Sequence, residues 1–76
     1  MKNKFEKGNW LIDNSFGDIW EVRDYFEYNS TAWVTMHKMY DGLTKTIPTY
    51  HVGMFREITL LDNYRVANNA KILFKR

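Results

Sequence analysis

A chain of 76 residues makes one small domain, and without cysteine it has neither a disulfide framework nor thiolate metal ligands to hold it together. A hydrophobic fraction of 45% with 26% charged residues excludes a disordered chain, and an aromatic content of 17% supplies large buried rings from few positions. The net charge of +2 permits an anionic partner but falls far short of a dedicated nucleic-acid coat protein.

The charge is unevenly spread. Lys2, Lys4 and Lys7 open the chain and Lys71, Lys75 and Arg76 close it, while the acids cluster from Asp13 to Glu27. The basic start has no apolar h-region, and no apolar run approaches the ~20 residues that span a bilayer. The expectation is a cytoplasmic protein without a membrane partner.

Gly8-Asn9 is a turn signal, and Trp10-Leu11-Ile12 after it reads as a first short strand that ends at Asp13-Asn14-Ser15. Phe16 in the following loop is expected to fold back onto the core. Two aromatic, β-branched runs come next, residues 19–28 and 31–40, joined by Asn29-Ser30, a pair that tolerates a tight turn. They predict a long β-hairpin. By strand alternation Trp20, Val22, Phe26 and Tyr28 share an apolar face that only Asp24 interrupts, and Glu21, Arg23, Tyr25 and Glu27 share a wet one. Asp24 marks a bulge or a basic partner. In 31–40 both faces are apolar, Ala32, Val34 and Met36 against Trp33 and Met39, so Trp33 falls either in the core or on an exposed patch.

Asp41-Gly42 signals another hairpin turn, since both residues tolerate positive φ, and residues 43–52 read as its return strand. Pro48 places that strand at an edge, because proline has no amide to donate to a ladder. Residues 54–61 fit both periods; Ile58-Thr59-Leu60-Leu61 favours a strand, with one helical turn over 54–57 before it. Residues 64–70 read as a loop or a helical turn, and 71–76 as a last strand with Ile72 and Phe74 on one face. The sum is an all-β fold of five to six antiparallel strands with a long central hairpin. It makes one domain over 1–76, with 1–7 and 62–70 as candidate flexible segments.

The chemistry is sparse. His37 and His51 have no ligand-spaced partner, although pairing of their strands would bring them together, so neither a metal nor a cofactor is expected. Ser15 and Ser30 sit in turn contexts, no phosphate-cradling glycine loop occurs, and Glu21, Asp24 and Glu27 match a solvated cross-strand pattern. These absences argue against an enzyme. What remains is an interleaving of rings and cations along the strands.

The order Phe5-x-x-Gly8-x-Trp10-x-Ile12-Asp13, Gly17-Asp18-Ile19-Trp20-Glu21-Val22, Trp33-Val34, Asp41-Gly42 and Phe55-Arg56-Glu57-Ile58-Thr59-Leu60-Leu61 resembles small Src-homology-3-like barrels of bacterial and phage accessory proteins. The resemblance covers residues 5–61. It implies a small closed barrel that binds a peptide, a nucleic acid or a ribosomal protein, or serves as an adaptor. The abundance of Asn, Lys, Tyr, Phe and Ile suits an AT-rich genome such as that of a phage or a low-GC bacterium.

The leading expectation is a non-enzymatic module that engages a protein partner through an aromatic strand face, since exposed aromatic and Met patches mark interfaces. The alternative is a nucleic-acid module that stacks bases beside cations. Arg23, Tyr25, Trp33, Lys38, Lys45, Tyr50 and Arg56 are the candidate binding residues, and self-association through an edge or face is a third use of the same surface.

Overall fold

The hairpin forms where the sequence places it, and its turn explains why. Asn29 and Ser30 take φ of 52° and 61°, the left-handed pair of a two-residue turn whose twist matches its strands, and Tyr28 pairs with Thr31 across it. The computed structural model describes residues 4–60 and 62–73. Its elements are β1 (Trp10–Asp13), β2 (Ile19–Tyr28), β3 (Thr31–Tyr40), β4 (Val52–Arg56), α1 (Glu57–Leu60), β5 (Tyr64–Val66) and α2 (Ala70–Leu73). The fold is all-β: one five-stranded sheet, entirely antiparallel, in the order β4-β3-β2-β1-β5.

One face of the sheet, here the inner face, carries the main core. Phe5, Leu11, Trp20, Val22, Val34, Met36 and Leu60 are buried together, with Phe55 of β4 and Tyr64 of β5 packed against them. Contributions from both edge strands to one cluster mean that the sheet curls around it. Full burial of side chains such as Leu11, Val22 and Met36 stabilises by roughly 1.5–3 kcal/mol each. A second cluster lies on the outer face at the β1 end, where Trp10, Ile19, Met39 and Ala70 are buried beside Ile12 and Tyr40. The sheet is therefore apolar on both sides at that end.

Several expected elements differ, each for a local reason. The return strand over 43–52 begins only at Val52, because the Asp41 carboxylate accepts the amides of Leu43 and Thr44 and folds the chain into a tight loop. One bridge, Asp41 to Thr46, closes it, and Pro48 lies in the connection to β4. Lys45, not Gly42, holds the positive φ there, at 60°. Gly42 is required for space: a Cβ would run into the Phe16 carbonyl and the Gly17 backbone.

Residues 54–61 reverse the expected order, strand first and helical turn second. Phe55 must face inward to meet Trp20, at a ring separation of 5.4 Å, while the Thr59 hydroxyl donates to the Arg56 carbonyl and caps the strand end. Residues 64–66 form β5 instead of a loop, pairing Tyr64 with Asp13 as the tyrosine ring packs on the core. The expected last strand over 71–76 is replaced over its described part by α2, which the Asn68 and Asn69 carbonyls start by accepting the Lys71 and Ile72 amides. Phe74 lies outside the described residues. Phe16 does not return to the core; it is 60% exposed.

The turn and the close approach give a paired prediction. Ser30→Gly should stabilise by about 0.5–1 kcal/mol, because glycine adopts positive φ without the Cβ penalty. Gly42→Ala should destabilise. Thermal unfolding reads both as shifts of the midpoint in opposite directions, and a lowered midpoint for Ser30→Gly would contradict the turn geometry.

Candidate interaction face

The site is built by a bulge. Val22 pairs with Met36 and Asp24 with Thr35, so Arg23 is an extra residue on β2, and the face that each later side chain occupies is exchanged. Tyr25 now pairs with the fully buried Val34 on the inner side, whereas Phe26 pairs with Trp33 on the outer side. The expected grouping of Trp20, Val22, Phe26 and Tyr28 on one face thus holds only up to Val22. A second register shift, between Ile19 and Trp20, leaves Met39 as the extra residue on β3 and buries it in the outer cluster.

Beyond the bulge the outer face has no covering element among the described residues. It carries Phe26 and Tyr28 from β2, Trp33 and His37 from β3, and Val52, Met54 and Arg56 from β4, in cross-strand rows such as Phe26–Trp33–Arg56. Tyr28 and Met54 are more than half exposed, at 65% and 58%. Tyr50 reaches the same face from the loop before β4, its ring 5.1 Å from that of His37. Arg23 also lies there, with Nη1 3.4 Å from both Glu21 Oε1 and His37 Nδ1. The indole N–H of Trp33 is shut off from solvent with no acceptor among the described residues. Such a donor costs about 1–3 kcal/mol, and the indole N–H of Trp20 in the core stands in the same state.

The candidate residues therefore separate. Arg23, Trp33, Tyr50 and Arg56 belong to this face. Tyr25 sits on the inner rim and donates its hydroxyl to Glu57 Oε1 at 3.0 Å. Lys45 lies in the 41–46 loop, away from the face. Lys38 is on the inner side, where its Nζ is 3.0 Å from Asp41 Oδ2 and 3.3 Å from Asp18 Oδ2, and 5.5 Å from the Trp20 ring. Phe26, Tyr28, Val52 and Met54 were not among the candidates. Asp24, polar in an apolar row, is the signal that pointed to the bulge and hence to them. The two histidines stand on opposite faces, His37 against Tyr50 and His51 against Trp20.

The Lys38 node is structural. Asp18 Oδ1 accepts the Gly42 amide at 2.7 Å, so the two carboxylates and the ammonium join the β1–β2 loop to the end of β3 and the following turn. Burial opposes the lysine charge, but the bonds to Asp41 and Asp18 prevail and raise its pKa. The Thr44 amide, followed by Lys38, lowers the Asp41 carboxyl to about 2. A cleft of about 280 Å³ opens between the β1–β2 loop and α1, lined in part by Asp13, Phe16, Phe55 and Tyr64. Burial, then the charges of Asp13 and Asp18, raise the Tyr64 phenol to about 12, so it stays protonated. Among the described residues no group of three or more His, Asp or Glu side chains is placed to hold a metal ion, and no helix is long and apolar enough to cross a membrane.

Because the folded pKa of Asp41 lies below the unfolded value, its contribution is complete above about 3.8 and is lost as pH falls through about 2. Asp41→Asn should therefore flatten the decline of stability across that window, as measured by denaturant titration at each pH. Parallel wild-type and variant curves would contradict the assignment.

No family model, curated protein or solved structure matches the chain.

Proposed function

We propose that the protein is a non-enzymatic binding module of Src-homology-3-like architecture that engages a protein partner through the outer face of β2, β3 and β4. The observation that carries this reading is the row of large side chains on the outer face beyond the Arg23 bulge, with Tyr28 and Met54 exposed and Phe26 and Trp33 half-buried between them. A soluble domain loses solubility by leaving such a patch open, so an occupant is the economical explanation. Aromatic side chains, Met and Arg are also the residues that dominate interface centres. The barrel part of the reading is supported by the curl of the sheet, which sets Phe55 and Tyr64 from opposite edges against one core.

The nucleic-acid alternative is less favoured, since of Arg23, Tyr25, Lys38, Lys45 and Arg56 only Arg23 and Arg56 lie on the outer face. Lys38 is neutralised by two carboxylates, and Arg23 is paired with Glu21. A base-stacking sheet needs cations beside its rings along a continuous track.

Retention of bacterial lysate proteins on immobilised protein tests the reading, with Met54→Lys and Trp33→Ala as face variants and Lys45→Ala as the control elsewhere. Met54→Lys should fold within about 0.5 kcal/mol of wild type, as an exposed substitution does, yet lose the retained proteins. Lys45→Ala should keep them. Retention that survives both face variants, or salt-sensitive binding of labelled DNA or RNA that follows Lys45, would sink the proposal.

A further inference from the structure

The outer face ends at an open edge. The Lys38 amide donates to the His51 carbonyl, which fixes the phase of the β3–β4 ladder: His51, Gly53 and Phe55 turn their backbone groups toward β3. Val52, Met54 and Arg56 consequently aim theirs away from the sheet. Of these groups, the Arg56 carbonyl is taken by Thr59, and the amides of all three residues and the carbonyls of Val52 and Met54 have no partner among the described residues. Natural edges are usually blunted by proline, lysine or a bulge. β4 reads Val-Gly-Met-Phe-Arg, and its pairing with β3 is regular throughout. The opposite edge, β5, is only three residues long.

A cleft of about 290 Å³ lies at the Arg56 end of this edge, where β4 leaves β3 for α1, walled by Ser30, Thr31, Ala32, Arg56, Glu57 and Ile58, with the Glu57 carboxylate accepting the Tyr25 hydroxyl. Ala32 is two residues before Val34 and so presents its backbone toward the place that β4 has vacated. Arg56 is exposed, and among the described residues no carboxylate stands within ion-pair distance of it. Backbone groups, the apolar side chains of Ala32 and Ile58 and the Arg56 guanidinium are thus in line, in a cleft that is otherwise polar.

We propose that the protein partner docks as an extended peptide segment that adds a sixth strand along β4, with a carboxylate side chain in the cleft at Arg56 and apolar side chains beside Val52 and Met54. This rests on the binding-module reading and specifies how that partner engages. Main-chain bonds give the added strand its affinity, and the guanidinium selects an acidic residue at one position.

The test is amide hydrogen exchange by NMR with a defined probe, an acetylated and amidated peptide of alternating valine and threonine with one glutamate, and the same peptide with lysine in its place. The glutamate peptide should slow exchange of the Val52 and Met54 amides by at least about tenfold, while those of Gly53 and Phe55, already in the ladder, change little. The lysine peptide and Arg56→Gln should each weaken binding by about tenfold. Met54→Pro removes one outward amide without touching the β3 ladder, and should abolish the effect. Should that variant not fold, a peptide N-methylated on its pairing residues gives the same expectation. Shifts of Trp33 and Phe26 without protection at Met54 would overturn strand addition and leave the face reading standing. Protection at Met54 that rises with protein concentration and needs no peptide would assign the edge to a second copy, overturning the proposal. No binding of either peptide would overturn it as well, and the lysate experiment then decides the face reading separately.

Discussion

The pairing of β2 with β3 is the constraint on which the structure depends. Each strand is ten residues long, and each must serve two environments, because the inner face is apolar near Val22 and Met36 while the outer face is apolar near Ile19 and again near Phe26. A strict two-residue alternation cannot satisfy all of these. The extra residues at Met39 and Arg23 resolve the conflict by changing the face along the strand. Met39 goes into the outer cluster, and Arg23 goes to solvent where the aromatic row begins. The open patch is the product of the same device that completes the core.

A second device keeps the turn end of the molecule in place. Lys38, Asp18 and Asp41 are little exposed at their side chains, and their polar atoms are nearly all engaged, by one another or by the amides of Gly42, Leu43 and Thr44. A half-buried charge group of this kind is sustained by full satisfaction of its partners and contributes to uniqueness of the fold more than to its raw stability. Gly42 belongs to the node through its missing side chain, which lets the β1–β2 loop lie against the turn. The node also withdraws a cation from the surface.

Much of the fold was legible where a local rule decides the outcome. Asn29-Ser30 between two β-rich runs specifies a hairpin, and the structure places both residues at positive φ. The existence of β1 and the all-β character followed in the same way. What local rules miss is decided by contacts between distant segments. Tyr64 becomes part of a strand because its ring meets the core beside Asp13, and no periodicity over three residues reveals that. Residues 43–52 look like a strand until the Asp41 carboxylate takes two of their amides. The candidate site divided for the same reason. Lys38 and Tyr25 have the composition of a binding surface, but Lys38 is committed to Asp18 and Asp41 and Tyr25 to Glu57; Trp33, which the alternation of its strand left open between core and patch, lies on the outer face in one row with Arg56. Asp24 carried the missing information. Moving the alternation by one residue after it would have brought Phe26 and Tyr28 into the site.

One extra residue at Arg23 sets the aromatic row of Phe26, Tyr28 and Trp33 on the outer face, and a through-space NMR measurement of Trp33 tests this directly. The indole protons of Trp33 should show contacts with the side chains of Phe26 and Arg56, its neighbours in the row, and none with Val22 or Leu11 of the core. Contacts between Trp33 and Val22 or Leu11 would place the ring inside, remove the bulge and leave no outer face to bind with.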